Sequence, residues 1–108
     1  MKPKTPSLFV GRWRIFESDL WDTDFLDLVE PAYVRFDANG LGEFKFGCVS
    51  GCMDCEYAHD GASFTWAGFD EMDEANGDGD ANLDEDGILT IELSFHQGDD
   101  AVLKARRW

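Results

Sequence analysis

The sequence predicts an all-β fold, an antiparallel up-and-down barrel of about eight short strands. Three observations predict it. Tight-turn signals recur at Asn39-Gly40, Ser50-Gly51, Asp60-Gly61, Asp86-Gly87 and Gln97-Gly98, each between runs of strand formers. The runs alternate: Phe44, Phe46 and Cys48 oppose Glu43 and Lys45, and Leu89, Ile91, Leu93 and Phe95 oppose Thr90, Glu92, Ser94 and His96. That period of two marks a sheet with one buried and one wet face. Finally, eight successive strands leave two exposed edges unless the sheet closes, and closure at eight gives an interior that side chains fill or that holds one small ligand.

The strands are expected at 9–16, 32–37, 42–49, 52–59, 62–69, 79–84, 88–96 and 101–107. Between the first two, residues 17–30 are acidic with Trp21, Phe25, Leu26 and Leu28 embedded. Ser18 or Asp19 can cap a short helical turn there, and Pro31 ends it, so this segment is expected to be a lid. Residues 70–78 are expected to form a long acidic loop before a short sixth strand. Gly11, Gly42, Gly47 and Gly68 supply the bends a small barrel needs.

A chain of 108 residues predicts one domain, here residues 8–108 behind a flexible arm at 1–7. With 44% hydrophobic residues the chain can bury a core despite its charge. The apolar runs are too short to span a bilayer, and the first residues lack a secretory h-region, so the expected location is cytoplasmic. Three cysteines, an odd number, fit a reducing compartment.

The formal net charge is −14. Such a molecule repels phosphate backbones and anionic bilayers, so neither nucleic acid nor membrane is an expected partner. The charge is uneven. Residues 69–100 hold twelve acids and no Lys or Arg, whereas Arg12, Arg14, Lys104, Arg106 and Arg107 lie near the chain ends. Barrel closure is expected to place Arg12 and Arg14 beside Lys104 and Arg106 as a basic stripe, usable in self-association as a homodimer.

At Gly11-Arg12-Trp13 the chain resembles the lipocalin and calycin barrels. The resemblance implies that an Arg of the last strand, Arg106 or Arg107, packs across Trp13. A wider resemblance covers Trp21-Asp22-x-Asp24, Gly40-x-Gly42-x-Phe44-x-Phe46-Gly47, Phe64-x-Trp66-x-Gly68, Asp70-Glu71 and His96-x-Gly98-Asp99-Asp100. These segments look like a family of small bacterial proteins of unknown function, which implies a fold type and no activity. At Gly77-Asp78-Gly79-Asp80 this chain has two acids where that family carries an Arg and a Trp.

Strand parity sends alternate connections to one end, so Trp21, Asp22, Asp24, Cys48, Cys52, Asp70, Glu71, His96, Asp99 and Asp100 are expected at one mouth. With Trp66 facing inward, that mouth is a candidate site for a small cationic or apolar ligand. No cofactor is expected, though a divalent cation fits His96 with Asp99, Asp100, Asp22 or Asp24, because imidazole and carboxylate suit Zn, Mn or Fe. Glu74-x-Asn76-x-Asp78-Gly79-x5-Glu85 approximates a calcium loop, but strands flank it where an EF-hand has helices. Cys48-x3-Cys52-x2-Cys55 copies an iron–sulfur spacing, yet alternation puts Cys52 and Cys55 on opposite faces, so free thiols are expected. The leading functional expectation is a non-enzymatic binding protein. The alternatives are a metal-dependent hydrolase or isomerase using His96 and the mouth carboxylates, and an acidic protein-interaction module.

Overall fold

The computed structural model describes residues 10–58 and 61–108. Eight strands run round a closed barrel: β1 (Gly11–Ser18), β2 (Tyr33–Phe36), β3 (Leu41–Phe46), β4 (Val49–Tyr57), β5 (Gly61–Asp70), β6 (Asp73–Leu83), β7 (Ile88–Phe95) and β8 (Asp100–Arg107). Each is antiparallel to its sequence neighbours, and β8 returns to pair with β1. A single-turn helix, α1 (Thr23–Leu26), lies in the β1–β2 connection, where the lid was expected. The expected arm at 1–7 and the turn residue Asp60 lie outside the described residues.

Two expectations of local structure are corrected. Ser50-Gly51 is not a turn; it lies inside β4, and the chain reverses at Gly47-Cys48. Gly47 supplies the left-handed backbone, with φ 55°, and it sits so close to the Phe25 ring that no Cβ fits. Gly51 is there for space: an added Cβ would lie 2.6 Å from the Phe44 ring and 2.9 Å from Trp66. The second correction concerns residues 70–78. They are not a loop, because β5 and β6 continue to a tight reversal at Glu71-Met72, with Glu71 at φ 58°. β6 is therefore eleven residues long, and its inward positions are Ala75, Gly77, Gly79, Ala81 and Leu83.

Those small residues face large ones. The register pairs Phe64 with Gly79 and Trp66 with Gly77, so the rings of β5 occupy volume that β6 leaves free. The Trp66 indole N–H passes over Gly77 to donate to the Ser94 carbonyl at 3.2 Å. Phe44 packs on Phe46 and edge-on to Trp66, and Trp66 packs on Phe95. Each buried ring contributes about 2–3 kcal/mol by area. An interior void between Ile15, Val34, Phe44, Met53, Phe64, Ile91, Leu93 and Leu103 measures only about 10 Å³, and its walls are apolar. The barrel centre is thus packed with side chains.

Both ends are stopped. At the upper end Trp21 lies 5.7 Å from Phe25, 5.0 Å from Phe46 and 6.2 Å from Phe95, ring centre to ring centre. At the lower end Arg107 lies across Trp13 at 4.2 Å and donates to the Val10 carbonyl at 2.8 Å. The Trp–Arg packing is therefore made by Arg107, not Arg106. Register is the reason: Arg107 stands opposite Trp13 and shares its face, whereas Arg106 stands opposite Arg14 on the outer wall, over the Phe16 ring at 4.1 Å.

Seating Phe44 on Gly51 predicts a steric cost. Gly51→Ala should lower the unfolding free energy by about 1–3 kcal/mol. In a double-mutant cycle with Phe44→Leu, denaturant titration should find the double variant less destabilised than the sum of the two singles.

Candidate functional site

The upper rim gathers the residues that strand parity assigned to it, but in other roles, and Cys52 is not among them because it lies within β4 on the outer face. Trp21 is half-buried as the stopper. Asp22 caps α1, its Oδ1 accepting the Phe25 N–H at 2.9 Å, a role expected of Ser18 or Asp19. Ser18 instead accepts from the Leu20 and Trp21 amides, and Asp19 accepts from Val102 at 2.8 Å on β8. Those contacts fix the lid before α1 begins. Asp24, Asp70, Glu71, His96, Asp99 and Asp100 are all exposed. Trp66 is not at the rim: it is 3% exposed inside the barrel, with its indole committed to Ser94.

Among the described residues no three His, Cys, Asp or Glu side chains converge as a metal site, so His96, Asp99 and Asp22 form no ligand set in this geometry. Glu74, Asn76 and Asp78 are alternate residues of one strand. At about 3.3 Å per residue, Glu74 and Asp78 stand roughly 13 Å apart along it and cannot wrap one calcium ion. The cysteines also diverge. Cys48 is in the β3–β4 turn, Cys52 faces out, and Cys55 faces in, where burial pushes its thiol up to about 11.

The lid is latched to the barrel wall. The Asp27 carboxylate takes two hydrogen bonds from the Arg14 guanidinium, at 2.9 and 2.6 Å, and a third from the Ala32 amide at 3.0 Å. The Arg14 hydrogen bonds, followed by the Ala32 amide, hold the Asp27 carboxyl below its ordinary 3.8. The Gly47 amide donates to the Leu26 carbonyl at 2.8 Å, tying the end of α1 to the β3–β4 turn.

A concavity lies on the outer wall, away from the mouth. A hollow of about 430 Å³ spans β4 to β7. Two cross-strand rows line it. One runs Asp54–Thr65–Asp78–Ser94, the other Glu56–Ser63–Asp80–Glu92, each residue directly opposite the next. Five carboxylates thus alternate with three hydroxyls, and no basic residue borders the hollow. None of the five makes an ion pair or side-chain hydrogen bond among the described residues. Asp80 and Glu92 even face one another across β6 and β7, an arrangement of like charges that weakens a sheet. Sequence reasoning missed this wall by assigning residues 70–78 to a loop. The signal was present in the acids at 74, 78 and 80, which keep an even spacing and so share a face.

The opposite wall is basic. Every Lys and Arg among the described residues lies on β8, β1, β2 or β3. Arg14, Arg35 and Lys45 are paired with Asp27, with Asp37 and Glu43, and with Glu30 respectively. Arg12 has no carboxylate partner among the described residues; it lies between the Tyr33 and Trp108 rings, 4.8 and 4.7 Å from their centres. Arg106 likewise rests on an aromatic ring with no acid beside it.

No protein-family model, no curated protein and no solved structure matches the chain. No helix among the described residues is long and apolar enough to cross a membrane.

Two outcomes are expected. Asp27→Asn should cost about 1 kcal/mol at neutral pH, since the pair is part-exposed. A lowered folded-state pKa contributes stability that is present above 3.8 and lost as pH falls through the folded value, so the gap to wild type should close under acid. Urea melts at a series of pH values measure this. A thiol reagent should label exposed Cys52 in the folded protein and reach Cys55 only on unfolding, as mass spectrometry of labelled peptides can determine.

Proposed function

We propose that the protein is a non-enzymatic binding module that engages a cationic partner surface through the acidic outer wall of β4–β7. The observation that carries this reading is the unpaired state of Asp54, Glu56, Asp78, Asp80 and Glu92 round one hollow. Folding gains nothing from opposing Asp80 to Glu92, and the repulsion is relieved when positive charge enters between the rows. Ser63, Thr65 and Ser94 add hydroxyls that accept from ammonium or guanidinium groups. The filled centre and the Trp21 stopper favour the outer wall over the mouth as the place of binding. The calycin-like kinship belongs to the same reading and rests on Gly11, Trp13 and the crossing Arg107.

A hexa-arginine peptide carrying a fluorophore is a suitable probe. Anisotropy titration should give saturable binding that weakens steeply with salt. Asp78→Asn with Asp80→Asn should reduce affinity about two- to thirtyfold, since each exposed contact contributes about 0.2–1 kcal/mol. Asp84→Asn with Asp86→Asn, the same change of charge in the β6–β7 turn, should leave it nearly unchanged. Equal losses from both pairs would reduce the effect to net charge and defeat the proposal. Amide shifts confined to residues 19–28 and 96–100 would move the site to the rim.

A further inference from the structure

The two walls complement each other, and the molecule itself carries a cationic surface suited to the hollow: the basic wall of another copy. Resting on the reading above, we propose that the protein self-associates head to tail, the β8–β1 wall of one copy docking on the β4–β7 wall of the next. Among the described residues Arg12 and Arg106 rest on aromatic rings with no carboxylate partner, and Asp54, Glu56, Asp78, Asp80 and Glu92 are the unpaired carboxylates gathered round the one hollow. The two sets lie on different strands of one closed ring. The acidic rows centre on β5 and β6, which β7 separates from β8 on one side and β2 to β4 separate from β1 on the other, and neither Arg12 nor Arg106 makes an ion pair with them within one molecule.

The arginines are prepared for contact. The Arg12 guanidinium lies against the Tyr33 and Trp108 rings and the Arg106 guanidinium over Phe16, contacts that restrict both side chains. Both residues are exposed, so their N–H donors can meet a bidentate carboxylate of a second copy. Because the two docking walls differ, each added copy leaves one basic and one acidic wall free, and the contact is heterologous. The net charge of −14 opposes long-range approach. At physiological salt that repulsion is screened beyond roughly 8 Å, while groups in direct contact are screened less. Weak association that rises with concentration is the consequence.

Sedimentation velocity on the full chain tests this. In about 0.1 M salt the weight-average sedimentation coefficient of wild type should climb with concentration, and in about 1 M salt it should stay at the monomer value, as the Debye length falls from roughly 10 Å to roughly 3 Å. Asp78→Lys with Asp80→Lys disables one wall, and Arg12→Glu with Arg106→Glu disables the other. Each double variant, its fold verified by circular dichroism, should be monomeric alone. Mixed, they retain one intact wall apiece and should form a dimer that grows no further. Wild type that remains monomeric at every concentration would overturn the inference, as would a mixture that fails to pair. Arg12→Gln with Arg106→Gln, which keeps the side-chain bulk on the rings, should also be monomeric; association surviving in it would count against the inference. The hexa-arginine titration separates the two claims: peptide binding by a monomeric wild type leaves the acidic-wall reading intact and removes only self-docking, whereas loss of both removes both.

Discussion

Aromatic rings seated on glycines across the strand are the constraint on which the rest depends. Phe64 lies against Gly79, Trp66 against Gly77, and Phe44 over Gly51. A barrel of eight strands has little interior, and these three large rings fit where the neighbouring strand carries no side chain. The same pairs let the sheet bend tightly enough for β8 to meet β1. Closure then removes both sheet edges, which a flat meander of this length would leave open to association.

A filled interior moves the chemistry outward. With the centre occupied, Trp21 and Phe25 over one end and Arg107 over the other, the hollow of β4–β7 offers free concave surface on the outside. Alternation dictates that residues 74, 76, 78, 80 and 82 point out when 75, 77, 79 and 81 point in. The interior's demand for small residues and the acidic outer row are therefore two faces of one strand. The sorting of charge round the ring follows from which strands carry it: the described bases lie on β8 to β3, and the five carboxylates of the hollow on β4 to β7. The Arg14–Asp27 latch belongs to the basic half, where it holds the lid shut against β1.

The closed eight-strand meander was legible from turn spacing and from Leu, Ile and Phe alternation, because those residues advertise which face they bury. β6 was not. Its buried face is Ala and Gly, which carry little hydrophobic signal, and the residues between them are acids and Asn, so a strand read as a loop. The turn after β3 was misplaced for a related reason. Ser50-Gly51 looks like a reversal, but Gly51 is chosen for the ring above it, and the reversal uses Gly47. Strand parity did place Trp21 and His96 at one end, since Trp21 touches Phe95. It could not say that Trp21 stops the mouth, nor that Trp66 is spent on the Ser94 carbonyl, because both depend on distances between elements far apart in sequence. Arg106 and Arg107 were separable only by the β1–β8 register.

The most direct measurement of the central claim is a xenon titration followed through the methyl signals of Ile15, Val34, Ile91, Leu93 and Leu103, which surround the interior void. Dry apolar cavities of useful size take up xenon. A barrel packed by rings on glycines predicts no saturable shift at any of these methyls. Saturable shifts shared by several of them would mean a hollow centre, and would contradict the claim that binding is confined to the outer wall.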